Sequence, residues 1–264
     1  MISQRRTVTQ VSFAILLAAG CACGARADDL EAVYSVRLIG LPVGVGTVSA
    51  HFSNDAYAIE ARGKLTGVAN LVGHANGAAI GKGAFAGERV LPAAYATTAV
   101  NSFMTRTIRM ALAGNAVTGV EIAPPFEEKP DRVPVSPADT RNILDPVGAF
   151  AIRTATGAPD ASVCTRTLPI FDGWTRFDIT LGYVGLKDVS TAGYSGKAVV
   201  CSVRYTPISG HRRDRPATKF MEENHDTEVW MAPVGRSKVF LPFHISVRTM
   251  IGTVTVDATE FAVK

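Results

Sequence analysis

Residues 34–65 read YSVRLIGLPVGVGTVSAHFSNDAYAIEARGKL. Tyr34, Val36 and Leu38 alternate with Ser35 and Arg37, and Gly40-Leu41-Pro42 then supplies a turn. Gly46, Val48, Ala50 and Phe52 alternate with Thr47, Ser49, His51 and Ser53 before Asn54-Asp55 turns the chain again. Tyr57, Ile59, Ala61 and Leu65 alternate in the same way with Ala58, Glu60, Arg62 and Lys64. Successive side chains of a strand point to opposite faces, so this spacing predicts a three-strand meander with one dry face and one wet face. His51 falls on the wet face and reads as a solvated strand residue.

The pattern continues in both directions. Residues 66–90 are small and glycine-rich, which predicts a turn or helical piece over Val68–Val72 and a sharply bent strand over Ala78–Ala86. Ile80-Gly81-Lys82-Gly83 lacks the spacing of a phosphate-binding loop. Strands are expected over Ala93–Phe103 and Thr105–Ala113, with Gly114-Asn115 closing a hairpin to Val117–Ile122. Five prolines and five charged residues between Ala123 and Pro137 predict an extended connection between two halves. Ser136 can cap a turn after it. Asp145-Pro146 starts the best candidate helix, Pro146–Thr154, with Asp145 as its N-cap and Val147, Phe150 and Ala151 on one face. The second half reads as strands over Val163–Phe171, Thr175–Tyr183, Lys197–Tyr205, Glu228–Met231, Val239–Thr249 and Gly252–Ala262. The polar, basic stretch Ser209–Asn224 reads as an exposed loop.

The first 27 residues have a different character. Arg5 and Arg6 precede an apolar stretch from Val11 to Ala19, and Ala25-Arg26-Ala27 lies before Asp28. That order is the order of a cleavable export signal, and the apolar stretch is shorter than the ~20 residues a membrane helix needs. Arg5-Arg6 also admits a twin-arginine reading, and Ala18-Ala19-Gly20-Cys21 admits acylation at Cys21. Taking Arg5, Arg6 and Arg26 from the 27 basic residues leaves 24 against 23 acidic ones. A mature chain of net charge +1 offers no electrostatic case for nucleic acid. Cys21 and Cys23 leave with the signal. Cys164 and Cys201 remain, and in an oxidising compartment they are expected to form one disulfide, with two buried thiols or a redox pair as alternatives. No C-x-x-C spacing supports redox work. The mature region, residues 28–264, is read as one β-rich domain of two halves.

Cys164-Thr165-Arg166, Phe171-Asp172-Gly173-Trp174-Thr175-Arg176-Phe177-Asp178, Tyr194-Ser195-Gly196, Tyr205-Thr206-Pro207-Ile208-Ser209-Gly210-His211 and Trp230-Met231-Ala232-Pro233 follow one another in order. With Asp145-Pro146 and Gly40-Leu41-Pro42-Val43-Gly44, the chain resembles domain-of-unknown-function family 3108, exported proteins of Gram-negative bacteria, over residues 31–262. The resemblance implies a periplasmic location and a mainly β fold. It also implies a strongly curved antiparallel sheet, a half-barrel or β-spiral like that of lipoprotein carriers, with one short helix on the concave side. It carries no activity and no functional residue. Trp174-Thr175 departs from the basic or small residues expected after Asp172-Gly173.

The residues themselves assemble no catalytic set, cofactor site or metal site. Gly193-Tyr194-Ser195-Gly196-Lys197 has Lys where a nucleophile elbow needs glycine, and reads as a turn with Gly196 at positive φ. His211 with Asp214 and His225 with Asp226 are acid–base candidates in polar loops. His74 sits in a glycine-rich loop, and the five histidines show no metal spacing. The aromatic candidates for lining a ligand pocket are Trp230, Phe150 and Phe177, although Trp230, as a strand residue, reads first as core. The functional expectation is a non-enzymatic envelope protein whose dry sheet face holds a lipid, an acyl chain or a lipidated partner. A scaffold or protein-interaction module of the envelope is the alternative. A hydrolase using Ser195, His211 and Asp214 is third and requires those three residues to converge.

Overall fold

The alternation first seen at residues 34–65 runs through most of the molecule. In a computed structural model, which describes residues 28–71 and 73–264, fourteen strands and one α-helix are formed among the described residues. The export-signal and acylation readings, and Val72, lie outside them. The first half contains β1 (Asp28–Leu38), β2 (Leu41–Phe52), β3 (Ala56–Leu65), β4 (Ala75–Ala86), β5 (Arg89–Asn101), β6 (Thr105–Ala113) and β7 (Ala116–Ala123). The second contains β8 (Ile152–Arg153), β9 (Arg166–Phe171), β10 (Arg176–Thr191), β11 (Tyr194–Ser209), helix α1 (Pro216–Glu223), β12 (Thr227–Val234), β13 (Val239–Thr249) and β14 (Gly252–Val263).

All of these belong to one curved antiparallel sheet. Its order is β7-β6-β5-β4-β3-β2-β1-β14-β13-β12-β11-β10-β9, with β8 pairing β13 off that path. Neighbours in sequence pair as hairpins, and the β1–β14 ladder stitches the two halves together, from Leu30↔Val263 to Leu38↔Val254. The sheet does not close on itself. The connection between β7 and β9 instead reaches both free edges. Arg141 bridges Ala116, and the Ile143 amide donates to the Asn115 carbonyl at 3.0 Å. Leu144 donates to the Pro169 carbonyl at 2.7 Å and accepts from the Phe171 amide at 3.0 Å. Edge strands left bare invite pairing with other chains, and this segment covers part of each.

The core sits between the sheet and this connection. Leu30, Phe52, Tyr57, Phe85, Phe261 and Ile143 belong to one buried cluster. The Tyr57 and Phe85 rings lie 5.3 Å apart, and the Tyr34 hydroxyl donates to the Pro242 carbonyl at 2.7 Å. Glycine has a specific use at Gly81. A Cβ there would fall 2.8 Å from the Asp145 carboxylate and 2.9 Å from Val147, so only glycine lets the connection lie against β4.

Several expectations need correction. The helix expected over Pro146–Thr154 is a three-residue 3₁₀ turn, Gly148–Phe150, followed by β8. Ile152 and Arg153 pair with Phe240 and Val239, so β13 takes the backbone bonds a helix would have needed. The helix of the second half lies instead inside the stretch read as loop, at Pro216–Glu223, with proline in its first turn. Strands β10 and β11 run 16 residues each, well past the expected Tyr183 and before the expected Lys197, because Gly185–Thr191 pairs with Tyr194–Val200. Their turn uses Gly193 at φ +84°, not Gly196. Strand β9 begins at Arg166, after a 3₁₀ turn over Ala161–Val163. Phe103, expected in a strand, is a turn tip.

Candidate functional site

Strands β9 to β13 each send alternate side chains to one shared space. The registers place Leu168 opposite Ile179, Ile170 opposite Phe177, Leu181 opposite Val203, and Ile179 opposite Tyr205. The ladder continues with Val229 opposite Ile245 and Thr227 opposite Val247. These residues line a half-enclosed cavity of about 330 Å³. Rows from five strands converge on it, which requires the sheet to be concave there, since rows on a flat sheet stay parallel. None of the lining residues carries a charge; Tyr205, Asn224 and Thr227 are its polar members. Other concavities of similar volume are different in kind. One of about 420 Å³ is lined by Asp29, Glu31, His51, Glu60 and Lys82, and reads as a wet surface depression. Volume does not single out the site; lining does.

The opposite wall comes from the connection. Pro146, Ala149, Phe150 and Ile152 face the strands. Asp145 sets this wall. Its carboxylate accepts the Val147 and Gly148 amides at 2.9 and 2.8 Å, satisfying the orphan donors that begin the 3₁₀ turn. Its other oxygen accepts from the Tyr57 hydroxyl at 3.4 Å. Asp145 is fully buried, and desolvation pushes its carboxyl up to about 6 despite those donors. The turn is flanked by Val147, so Asp145 is not its N-cap as expected, but holds the turn's first amides from two residues further back.

Helix α1 supplies Met221 at the cavity's end. Buried Asn224, just after the helix, donates to the Arg248 carbonyl at 2.8 Å and to Thr227 Oγ1 at 3.1 Å, and accepts the Asp226 amide at 2.9 Å. That one amide side chain ties the helix to β12 and β13. At the other end, Cys164 and Cys201 are bonded across β10, with Cα atoms 5.4 Å apart. Val163, Leu181, Met231 and Phe240 pack around the bridge as a dry floor.

The three aromatic candidates separate. Phe177 and half-exposed Phe150 line the cavity, and the Phe177 and Tyr205 rings lie 5.4 Å apart. Burial raises the Tyr205 phenol above its ordinary range, reinforced by Asp172 and Glu222. Trp230 lies on the opposite face of β12 from Val229 and Met231. It stacks on His244 at 4.2 Å, takes Lys187 Nζ at 3.9 Å over its ring, and donates its indole N–H to Glu228. Ser195 lies at the start of β11 and His211 beyond its far end, roughly 40 Å or more apart at about 3.3 Å per residue, so the hydrolase set does not converge. Asp226 pairs with Arg248 at 2.9 Å, not with His225. Trp174, the departure noted above, packs on Phe126 and under Arg132. Met221 and Asn224 were missed because a short charged helix resembles a loop in sequence. The Leu168–Ile170 pair was visible only as part of a strand.

Among the described residues no helix is long and apolar enough to cross a membrane. No curated protein matches this chain. A solved structure, a β-barrel-like protein of domain of unknown function DUF1849 from Brucella abortus, is similar at 9% identity and a TM-score of 0.49, covering 90% of this chain and 97% of that one. A family model described as protein of unknown function, DUF3108, matches residues 33–259, and the chain belongs to that family.

Proposed function

We propose that this protein is a non-enzymatic component of the bacterial envelope that holds an acyl chain in the cavity between β9–β13 and the connection. One observation carries the reading: five strands turn uncharged, mostly apolar side chains toward a space that none of the described residues fills. Water in such a space has few polar partners, and an apolar chain displaces it favourably. Each methylene seated there contributes about 0.8 kcal/mol, so about ten give a gross energy near that of a micromolar complex before ordering costs. A polar headgroup stays outside, because no lining residue is charged. The export-signal order of residues 1–27 and the bonded pair Cys164–Cys201 support a location in the oxidising periplasm.

The test is a titration of residues 28–264 with a polyene fatty acid whose fluorescence rises in apolar surroundings. Saturable micromolar binding is expected, weakened at least tenfold by Val229→Trp, which fills the space. A flat titration of the wild-type protein would sink the proposal.

A further inference from the structure

The two rims of the sheet differ. At one rim the turns are polar: Ser53-Asn54-Asp55, Gly87-Glu88, Gly114-Asn115 and Gly235-Arg236-Ser237-Lys238, with no exposed large apolar side chain among them. At the other rim four turn tips are apolar and bare, beside the polar Asp172–Thr175 turn and the charged connection over residues 210–226. Ile39 and Leu41 project from the β1–β2 turn, Val68 from the turn after β3, Phe103 and Met104 from the β5–β6 turn, and Met250 and Ile251 from the β13–β14 turn. Phe103 is 96% exposed and Ile251 71%.

These tips form one continuous row. The Ile39 amide donates to the Thr253 carbonyl at 2.9 Å, joining the first and last turns. The Thr66 amide donates to Val43 at 2.9 Å, and the His74 amide donates to Ser102 Oγ at 3.2 Å, joining the next two. Cations stand close behind the tips: Arg37, Lys64, Arg106 and Arg248. Arg37 and Arg248 face Asp257 and Asp226, whereas Lys64 and Arg106 have no carboxylate partner among the described residues. Arg106 bonds the Pro124 carbonyl at 3.0 Å and lies over the Phe126 ring.

An apolar layer backed by a basic layer has the depth profile of a membrane interface: acyl boundary first, anionic headgroups next. Separate tips on a curved rim also suit a soft bilayer better than the flat, continuous patch of a protein interface. We propose that this rim docks on an anionic lipid bilayer, with Ile39, Leu41, Val68, Phe103 and Ile251 entering the acyl boundary and Lys64 and Arg106 meeting the headgroups. The docking deepens the acyl-binding reading by naming where the chain comes from. Phe177, Thr227 and Val247 lie within two residues of this rim's ends of β10, β12 and β13, so the cavity is at the docked end.

The experiment is flotation of residues 28–264 with vesicles of phosphatidylethanolamine containing one quarter phosphatidylglycerol. Wild-type protein is expected to float with the vesicles. Phe103→Asp with Ile251→Asp is expected to reduce binding at least tenfold while leaving the circular dichroism, the Tm and fatty-acid binding from solution unchanged. Asn54→Asp with Lys238→Asp, which adds negative charge at the polar rim, is expected to bind as wild type. The inference is overturned if wild-type protein ignores the vesicles or if the Phe103/Ile251 variant floats equally well. It is also overturned if the wild-type protein instead forms a dimer in ultracentrifugation that Ile251→Asp breaks. Flotation without fatty-acid binding would remove the acyl reading and leave the docking standing.

Discussion

The two halves of the sheet obey the same binary pattern and end differently. In the first half, Phe52, Tyr57 and Phe85 reach across the concave space and meet the connection, which Gly81 admits to within contact of β4. In the second half many of the facing residues are shorter, among them Ile179, Val203, Val229 and Val247, with Phe177 and Tyr205 the large ones, and the connection withdraws to a single wall. The lesson is that alternation decides which residues face inward, while their size and the position of one covering segment decide whether that interior is solid or hollow.

The largest expected effect tests the solid half. Phe52 is almost fully buried, so Phe52→Ala should cost about 3–5 kcal/mol in chemical denaturation. Phe177→Ala, which faces the cavity, should cost less than half of that and weaken fatty-acid binding. Equal losses at the two sites would erase the contrast. Next comes the bridge under the hollow half. Replacing Cys164 and Cys201 together by alanine should cost about 4 kcal/mol by the loop-entropy argument for a 37-residue separation. Alkylation of the unreduced protein should label neither cysteine, and labelling of both would remove the bridge.

A third test concerns Asp145, which joins the halves. Its carboxyl titrates at about 6 in the folded protein, above the ordinary value near 4. The folded state holds this proton more tightly than the unfolded one. The group's contribution is therefore complete below about pH 4 and lost as the pH rises through 6. Two units correspond to about 3 kcal/mol. Asp145→Asn keeps an oxygen for the Val147 and Gly148 amides and removes the titration. Relative to wild type, the variant should gain about that much stability between pH 4 and pH 7, measured by urea unfolding at each pH. No change in the difference would mean that Asp145 is solvated. The smallest expected effect is a filling experiment. Val229→Phe, pointing into the cavity, should change stability by under about 1 kcal/mol. Ala232→Phe, three residues along the same strand but inside the packed cluster, should cost about 1–3 kcal/mol.

Much of the architecture was legible. The meander from Tyr34 to Leu65 appears with Ala50, Phe52, Tyr57 and Ile59 buried and His51 exposed, as the alternation required. The bonding of Cys164 to Cys201 followed from parity and the expected compartment. The aromatic candidates fared unevenly, because period two gives a face and not a neighbour. Phe177 and Trp230 sit on equally plausible strands, yet Trp230 alternates with Val229 and Met231, which line the cavity, and so faces away from it.

What the sequence determined alone was the alternation, the turns and the disulfide partners, since these depend on residues near in the chain or few in number. Tertiary structure decided the rest. The segment from Asp145 to Arg153 carries a helical pattern but is drawn into a turn and a strand, because β13 takes the backbone groups of Ile152 and Arg153. The hollow beside it exists because side chains distant in sequence fall short of one another, a matter of distance across the fold that no local spacing encodes.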